Sequence, residues 1–168
     1  LLGCAAALLC WLPAELARAY EDQLTLGVGA GYAHAFASAG PEHGALVDVA
    51  ASTGLSSTWT LRGRLSYAFY PAERSPAHAG LVGAELLYMI DIVELVPYLG
   101  AGIDGVGRAR AGDFRVDGAA HLVLGIDYLV SRGFALGLDV RSHLLVTAWR
   151  RDPVDLMLAL SATWIIDR

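Results

Sequence analysis

The sequence predicts an all-β fold, an eight-stranded antiparallel up-and-down barrel of the transmembrane kind. Three observations carry this. Of the 168 residues, 55% are hydrophobic and 17% charged, against the roughly 25% charged residues of an ordinary soluble domain. Beyond the N-terminal segment no apolar run reaches the about 18 residues of a spanning helix, because Gly, Asp, Arg or Ser interrupts each one. From Leu24 onward, bulky apolar residues alternate with small or polar ones at the period of two that belongs to strands.

The N-terminus reads as an export signal. Leu1 to Pro13 are almost continuously apolar, and Ala17-Arg18-Ala19 gives the small-x-small pattern before a cleavage point. Residues 1–19 are therefore expected to be a signal peptide that lacks its charged start, the sequence beginning inside a longer precursor, and 20–168 to be one barrel domain opening at Tyr20. Leu1-Leu2-Gly3-Cys4 faintly resembles a lipoprotein box, but the apolar run continues past Cys4 instead of stopping there. Cys4 and Cys10 are the two cysteines, so the processed chain would hold neither a disulfide framework nor a thiolate metal site.

Within the expected barrel the period of two predicts strands near 23–36, 44–53, 58–70, 79–91, 95–107, 116–129, 133–147 and 154–166. In the third, Trp59, Leu61, Gly63, Leu65, Tyr67 and Phe69 share one face, and Thr60, Arg62, Arg64, Ser66 and Ala68 the other. The seventh sets Leu136, Leu138 and Val140 against Gly137, Asp139 and Arg141, and the eighth sets Leu156, Leu158 and Leu160 against Asp155, Met157 and Ala159. The fifth has apolar residues or glycine on both faces, so its inward side is undefined. Breaker-rich segments at 39–44, 71–78, 107–115 and 150–153 are expected to be the longer loops. They alternate with tighter connections at 54–57, 91–94 and 130–133, the long-and-short pattern of up-and-down membrane barrels.

A soluble lipocalin-like barrel turns its apolar face inward and a membrane barrel turns it outward. Residue size decides between them. The polar face is mostly Gly, Ala, Ser and Thr with scattered charges, which suits an interior only just wide enough for side chains. The apolar face is bulky and free of charge, and 17% charged residues is too few to clothe a solvated exterior. Tyr32, Trp59, Tyr67, Tyr88, Tyr128 and Trp164 fall near strand ends on that face, where interfacial aromatic girdles belong.

Gly83-Ala84-Glu85-Leu86-Leu87-Tyr88 through Val96-Pro97-Tyr98-Leu99-Gly100-Ala101-Gly102, together with Leu136-Gly137-Leu138-Asp139-Val140-Arg141, resemble hairpins of the small bacterial outer-membrane β-barrel family typified by the OmpA transmembrane domain and OmpX. The resemblance covers the whole processed chain and rests on pattern. It implies a Gram-negative outer membrane, insertion by the barrel-assembly machinery, both termini in the periplasm, and contact with outer-membrane lipids including lipopolysaccharide. Such barrels commonly finish on an aromatic residue, whereas this sequence ends Trp164-Ile165-Ile166-Asp167-Arg168.

The charges assigned to the inner face are Asp48, Arg62, Arg64, Glu85, Asp104, Asp127, Asp139, Arg141 and Asp155. Unpaired charges in a low-dielectric interior are costly, so Arg62, Arg64 and Arg141 are expected to pair with Glu85, Asp139 and neighbouring acids and plug the lumen. Because acids outnumber arginines, a narrow channel, if one formed, would prefer cations. Arg108, Arg110 and Arg115 surround one expected loop, with Arg150 and Arg151 at another. Guanidinium forks there suit lipopolysaccharide phosphates.

Other chemistry is poorly supported. The net charge is −5 and every base is arginine, without the basic face of a nucleic-acid binder. Gly27-Val-Gly-Ala-Gly31 superficially resembles a phosphate loop, but more strand follows it where a nucleotide site needs a helix N-terminus. Ser142-His143 invites comparison with lipid A-modifying enzymes, yet adjacent strand residues face opposite ways. His34 and Ser38 share a face, but Ser38 lies in an expected loop. His121 and His143 read as members of a polar network, and no H-x-x-x-H spacing or acid cluster marks a metal site. The expectation is a monomeric, non-enzymatic barrel without cofactor, in a structural, anchoring or adhesion-like role. A membrane-embedded lipid A-modifying enzyme is the main rival.

Overall fold

A computed structural model describes residues 23–37, 40–72, 75–90, 94–149 and 154–166; the expected signal peptide lies outside them. Eight strands follow in chain order: β1 (Leu24–Ala37), β2 (Gly40–Gly54), β3 (Trp59–Tyr70), β4 (Ala77–Met89), β5 (Leu95–Arg110), β6 (Asp113–Ser131), β7 (Phe134–Leu145) and β8 (Val154–Ile166). Each pairs antiparallel with its chain neighbours, and β1 closes on β8 from Leu24↔Ile166 to Ala35↔Asp155. Closure leaves no sheet edge, so the strands satisfy one another's backbone groups, as a bilayer demands. A bulge between Leu129 and Ser131 interrupts the β6–β7 ladder.

The alternation sorts side chains as their bulk predicts. Outward positions carry Leu, Val, Ile, Phe, Tyr and Trp, among them Leu65, Val82, Ile103 and Leu160. Among the described residues, the outward strand positions hold no Asp, Glu or Arg. The aromatics form two bands. Trp59, Tyr88, Tyr128 and Trp164 ring the end where the termini lie, with edge-to-face contacts Trp59–Tyr88 at 5.2 Å and Phe134–Trp164 at 5.7 Å between centroids. Tyr32, Phe36, Tyr67 and Phe69 ring the other end. From Trp59 to Phe69, at about 3.3 Å per residue and a tilt of roughly 40°, is about 25 Å, the height of a membrane barrel's apolar band.

Three expectations about connections and faces change. The loop expected at 107–115 is a ladder: β5 and β6 run to Arg110↔Asp113, with Arg108 opposite Arg115. Ala111 (φ 53°) and Gly112 (φ 91°) close it in a two-residue turn, both residues having the positive φ that matches strand twist. The loop expected at 39–44 is also mostly strand, since Gly40 to Gly44 pair with Ala33 to Ala37. Long connections at that end are therefore confined to 71–76 and 146–153. The fifth strand resolves as well, with Val96, Tyr98, Asp104, Val106 and Arg108 inward and Leu95, Leu99 and Ile103 outward.

The interior is filled in layers. At the end opposite the termini, Ala33, Leu46, Ala68, Leu81, Val106, Leu145 and Met157 pack into an apolar plug, all 3% exposed or less. Near the termini, Leu87, Met89, Val96, Tyr98 and Val123 form a smaller cluster on one wall. Between the two lies a layer of charge.

Candidate functional site: the charge layer of the lumen

Strand register assembles the layer. Arg62 stands directly opposite Glu85 across the β3–β4 ladder, and Arg64 is one inward position diagonal to both Glu85 and, across β2–β3, Asp48. Asp139 and Arg141 arrive on the far wall from successive inward positions of β7.

Arg64 is the hub. Its Nη1 donates to Asp48 Oδ2 at 3.0 Å, and its Nη2 to Glu85 Oε1 at 3.2 Å and Asp139 Oδ2 at 3.3 Å. Arg141, 1% exposed, donates from Nη2 to Asp48 Oδ2 at 2.5 Å, from Nε to Asp139 Oδ1 at 2.8 Å and from Nη1 to Ser66 Oγ at 3.3 Å. Arg62 pairs through Nε with Glu85, donates from Nη1 to Tyr98 OH at 3.4 Å, and lies 5.0 Å from the centre of that ring. Three guanidiniums thus tie three carboxylates across the whole bore. Removing one member would leave charges buried without compensation, so the layer behaves as a unit.

The layer continues through imidazoles. Glu85 Oε2 lies 3.0 Å from His121 Nε2, His121 Nδ1 lies 2.5 Å from Asp104 Oδ2, and Asp104 Oδ2 lies 3.5 Å from His143 Nε2. Below the arginines, toward the termini, a cavity of about 70 Å³ is lined in part by Thr25, Asp48, Ser52, Arg62, Asp127 and Asp139. This gives room for a few waters beside polar walls.

Of the inner-face charges read from the sequence, the structure brings Asp48, Arg62, Arg64, Glu85, Asp139 and Arg141 into one cluster. Asp104 joins it through His121. Asp127 stands apart on the cavity wall, against Gly137. Asp155, opposite Ala35 of the plug across β1–β8 and opposite His143 across β7–β8, accepts from Arg108. Arg108 was assigned to a loop and instead points into the barrel, because β5 extends through it. Arg110 is also in the strand and pairs with Glu42. Arg115 is exposed on the same hairpin, and Arg150 and Arg151 lie outside the described residues. Sequence reasoning missed Tyr98 and the depth of His121 and His143. The signal was present: Tyr98 and Asp104 share parity along β5, as do Asp139, Arg141 and His143 along β7.

Catalytic geometry of the kind raised by Ser142-His143 does not form, since His143 is buried inside and Ser142 faces out. His34 and His43 sit on the exterior, their Nδ1 atoms 3.2 Å apart beside Tyr32.

No family model matches the chain, and no curated protein matches it. Solved structures do. Neisserial surface protein A matches with a TM-score of 0.69 at 20% identity, covering 86% of this chain and 97% of that one. The N-terminal β-barrel domain of Pseudomonas aeruginosa OprF matches at 0.64 and 15% identity, covering 87% and 98%. The attachment invasion locus protein Ail of Yersinia pestis matches at 0.59 and 14% identity, covering 87% and 99%. Closed topology, apolar exterior and these likenesses agree, and the fold is that of the small eight-stranded bacterial outer-membrane β-barrels.

Proposed function

We propose that the chain is an integral outer-membrane protein whose role is structural and anchoring, with a lumen sealed against solutes. The single observation that carries this reading is the stacking of an apolar plug on a cross-linked Arg–carboxylate layer, two packed layers set across the path an ion would take. The bulky, charge-free exterior between two aromatic bands supports lipid as the surrounding solvent. Short connections at 38–39 and 111–112 weigh against an adhesin that works through extended loops. Lipids are then the main partner, and the exposed guanidinium of Arg115 suits the phosphates of lipopolysaccharide. Among the described residues no serine or threonine hydroxyl lies within hydrogen-bond reach of a histidine, which favours a non-enzymatic role over lipid modification.

Planar-bilayer recording tests the sealed lumen. The refolded protein is expected to give no discrete conductance steps at physiological salt. Reproducible single-channel steps would instead favour a narrow channel, with cation preference following from the excess of acids.

A further inference from the structure

Asp104, His121 and His143 come from three adjacent strands and converge inside the barrel, their ligand-type atoms all within 4.8 Å of one another. We propose that this triad is a binding site for one divalent transition-metal cation of the zinc class, independent of the structural role argued above.

The donor set fits that class. Two imidazole nitrogens and one carboxylate suit Zn²⁺ and its first-row neighbours, whereas Ca²⁺ and Mg²⁺ require oxygen cages. A tetrahedral cation about 2.1 Å from each donor holds them about 3.4 Å apart. The observed separations from Asp104 Oδ2, 2.5 Å to His121 Nδ1 and 3.5 Å to His143 Nε2, bracket that value.

The surroundings are built to present these atoms. His121 and His143 are register partners across β6–β7, with Asp104 one inward position diagonal to His121 across β5–β6. Glu85 lies 3.0 Å from His121 Nε2, and a metal-bound histidine typically gives its other ring N–H to such a carboxylate, which fixes the ring and leaves Nδ1 for the metal. His143 is 2% exposed, and its Nδ1 has no hydrogen-bond partner. Its other nitrogen, Nε2, is turned toward Asp104 and is the atom offered to the cation. Glycine clears the space: a Cβ at Gly102 would come 2.5 Å from His121 Cε1 and 2.7 Å from Glu85 Cβ, and one at Gly83 would strike the Asp104 carboxylate. Charge favours a cation too, since the mid-lumen layer and its cavity set Arg62, Arg64 and Arg141 against Asp48, Glu85, Asp104, Asp127 and Asp139.

The chain has five histidines, and the exterior pair His34–His43 is the competing site. The test therefore uses the tag-free full chain carrying H34Q and H43Q, refolded into detergent with Co²⁺ and freed of excess metal. The expected result is one equivalent of Co²⁺ with visible d–d bands, displaced by Zn²⁺. Adding H143Q, or separately D104N, should weaken binding at least about tenfold, with folding checked by unheated gel mobility. Absence of stoichiometric Co²⁺ in the H34Q/H43Q protein overturns the proposal, as does binding that survives both interior substitutions. If neither interior variant folds, X-ray absorption on the Zn²⁺-loaded H34Q/H43Q protein decides. Two imidazoles and one carboxylate support the site, and any shell without two imidazoles rejects it.

Discussion

Arg64 shows what a single residue does in this molecule. It touches Asp48, Glu85 and Asp139, and its replacement by Met would leave those carboxylates with fewer partners in a medium that solvates them poorly. Breaking a buried pair from one side costs about 3–5 kcal/mol. R64M is expected to lose stability on that scale in urea unfolding from lipid vesicles, while the exposed R115Q should stay within about 0.5 kcal/mol of the parent. Gly102 makes a steric claim of the same rank. Gly102→Ala places a methyl against the Ala84 carbonyl and the His121 ring and should cost about 1–3 kcal/mol, read in the same unfolding experiment. The charges of this layer were legible in the sequence, because Arg62, Arg64, Asp139 and Arg141 sit on the small-residue side of clean alternations. Their pairing was legible only in part. Which acid meets which arginine depends on register and on reach across the bore, and neither is local in sequence.

At the scale of the element, the β5–β6 hairpin carries the main departure from expectation. Gly107, Gly112 and the arginines between them read as breakers, yet glycine within a strand is tolerated where neighbours approach closely or where the turn itself needs positive φ. Here the turn is only Ala111-Gly112, and Phe114 packs its ring edge near Gly107, 3.3 Å from where a Cβ would be. Composition over a window cannot separate a loop from a protruding hairpin, but parity can. Asp104, Val106 and Arg108 keep one face through the supposed loop, and that continuity was the available signal. The turn yields its own prediction. Ala111 at φ 53° bears a left-handed conformation that costs an L-residue about 1 kcal/mol. Ala111→Gly should raise the unfolding midpoint, and Ala111→Val should lower it.

For the whole molecule, two surfaces are inverted relative to a soluble barrel: the bulky apolar face looks out and the charges look in. Eight strands, the parity of all but the fifth and the girdle positions followed from alternation alone, because in a barrel this narrow almost every residue belongs to one face or the other. The layering of the lumen into plug, charge and cavity did not, since it arises from depth along the axis and from the stagger between strands. The outward face gives a direct energetic consequence. Leu65, 56% exposed and midway between the aromatic bands on β3, would lie near the bilayer centre, and Leu65→Arg should destabilise the vesicle-inserted protein by about 2–4 kcal/mol.

The central claim is that this outward face meets lipid. The most direct test places single nitroxide labels along β3 from position 61 to 68 in vesicle-reconstituted protein and compares collision with oxygen and with a water-soluble relaxant. The account predicts a period of two, with 61, 63, 65 and 67 accessible to lipid-dissolved oxygen and shielded from the aqueous relaxant, and 62, 64, 66 and 68 shielded from both. Odd positions that collide freely with the aqueous relaxant would contradict it and would make the chain a water-exposed barrel.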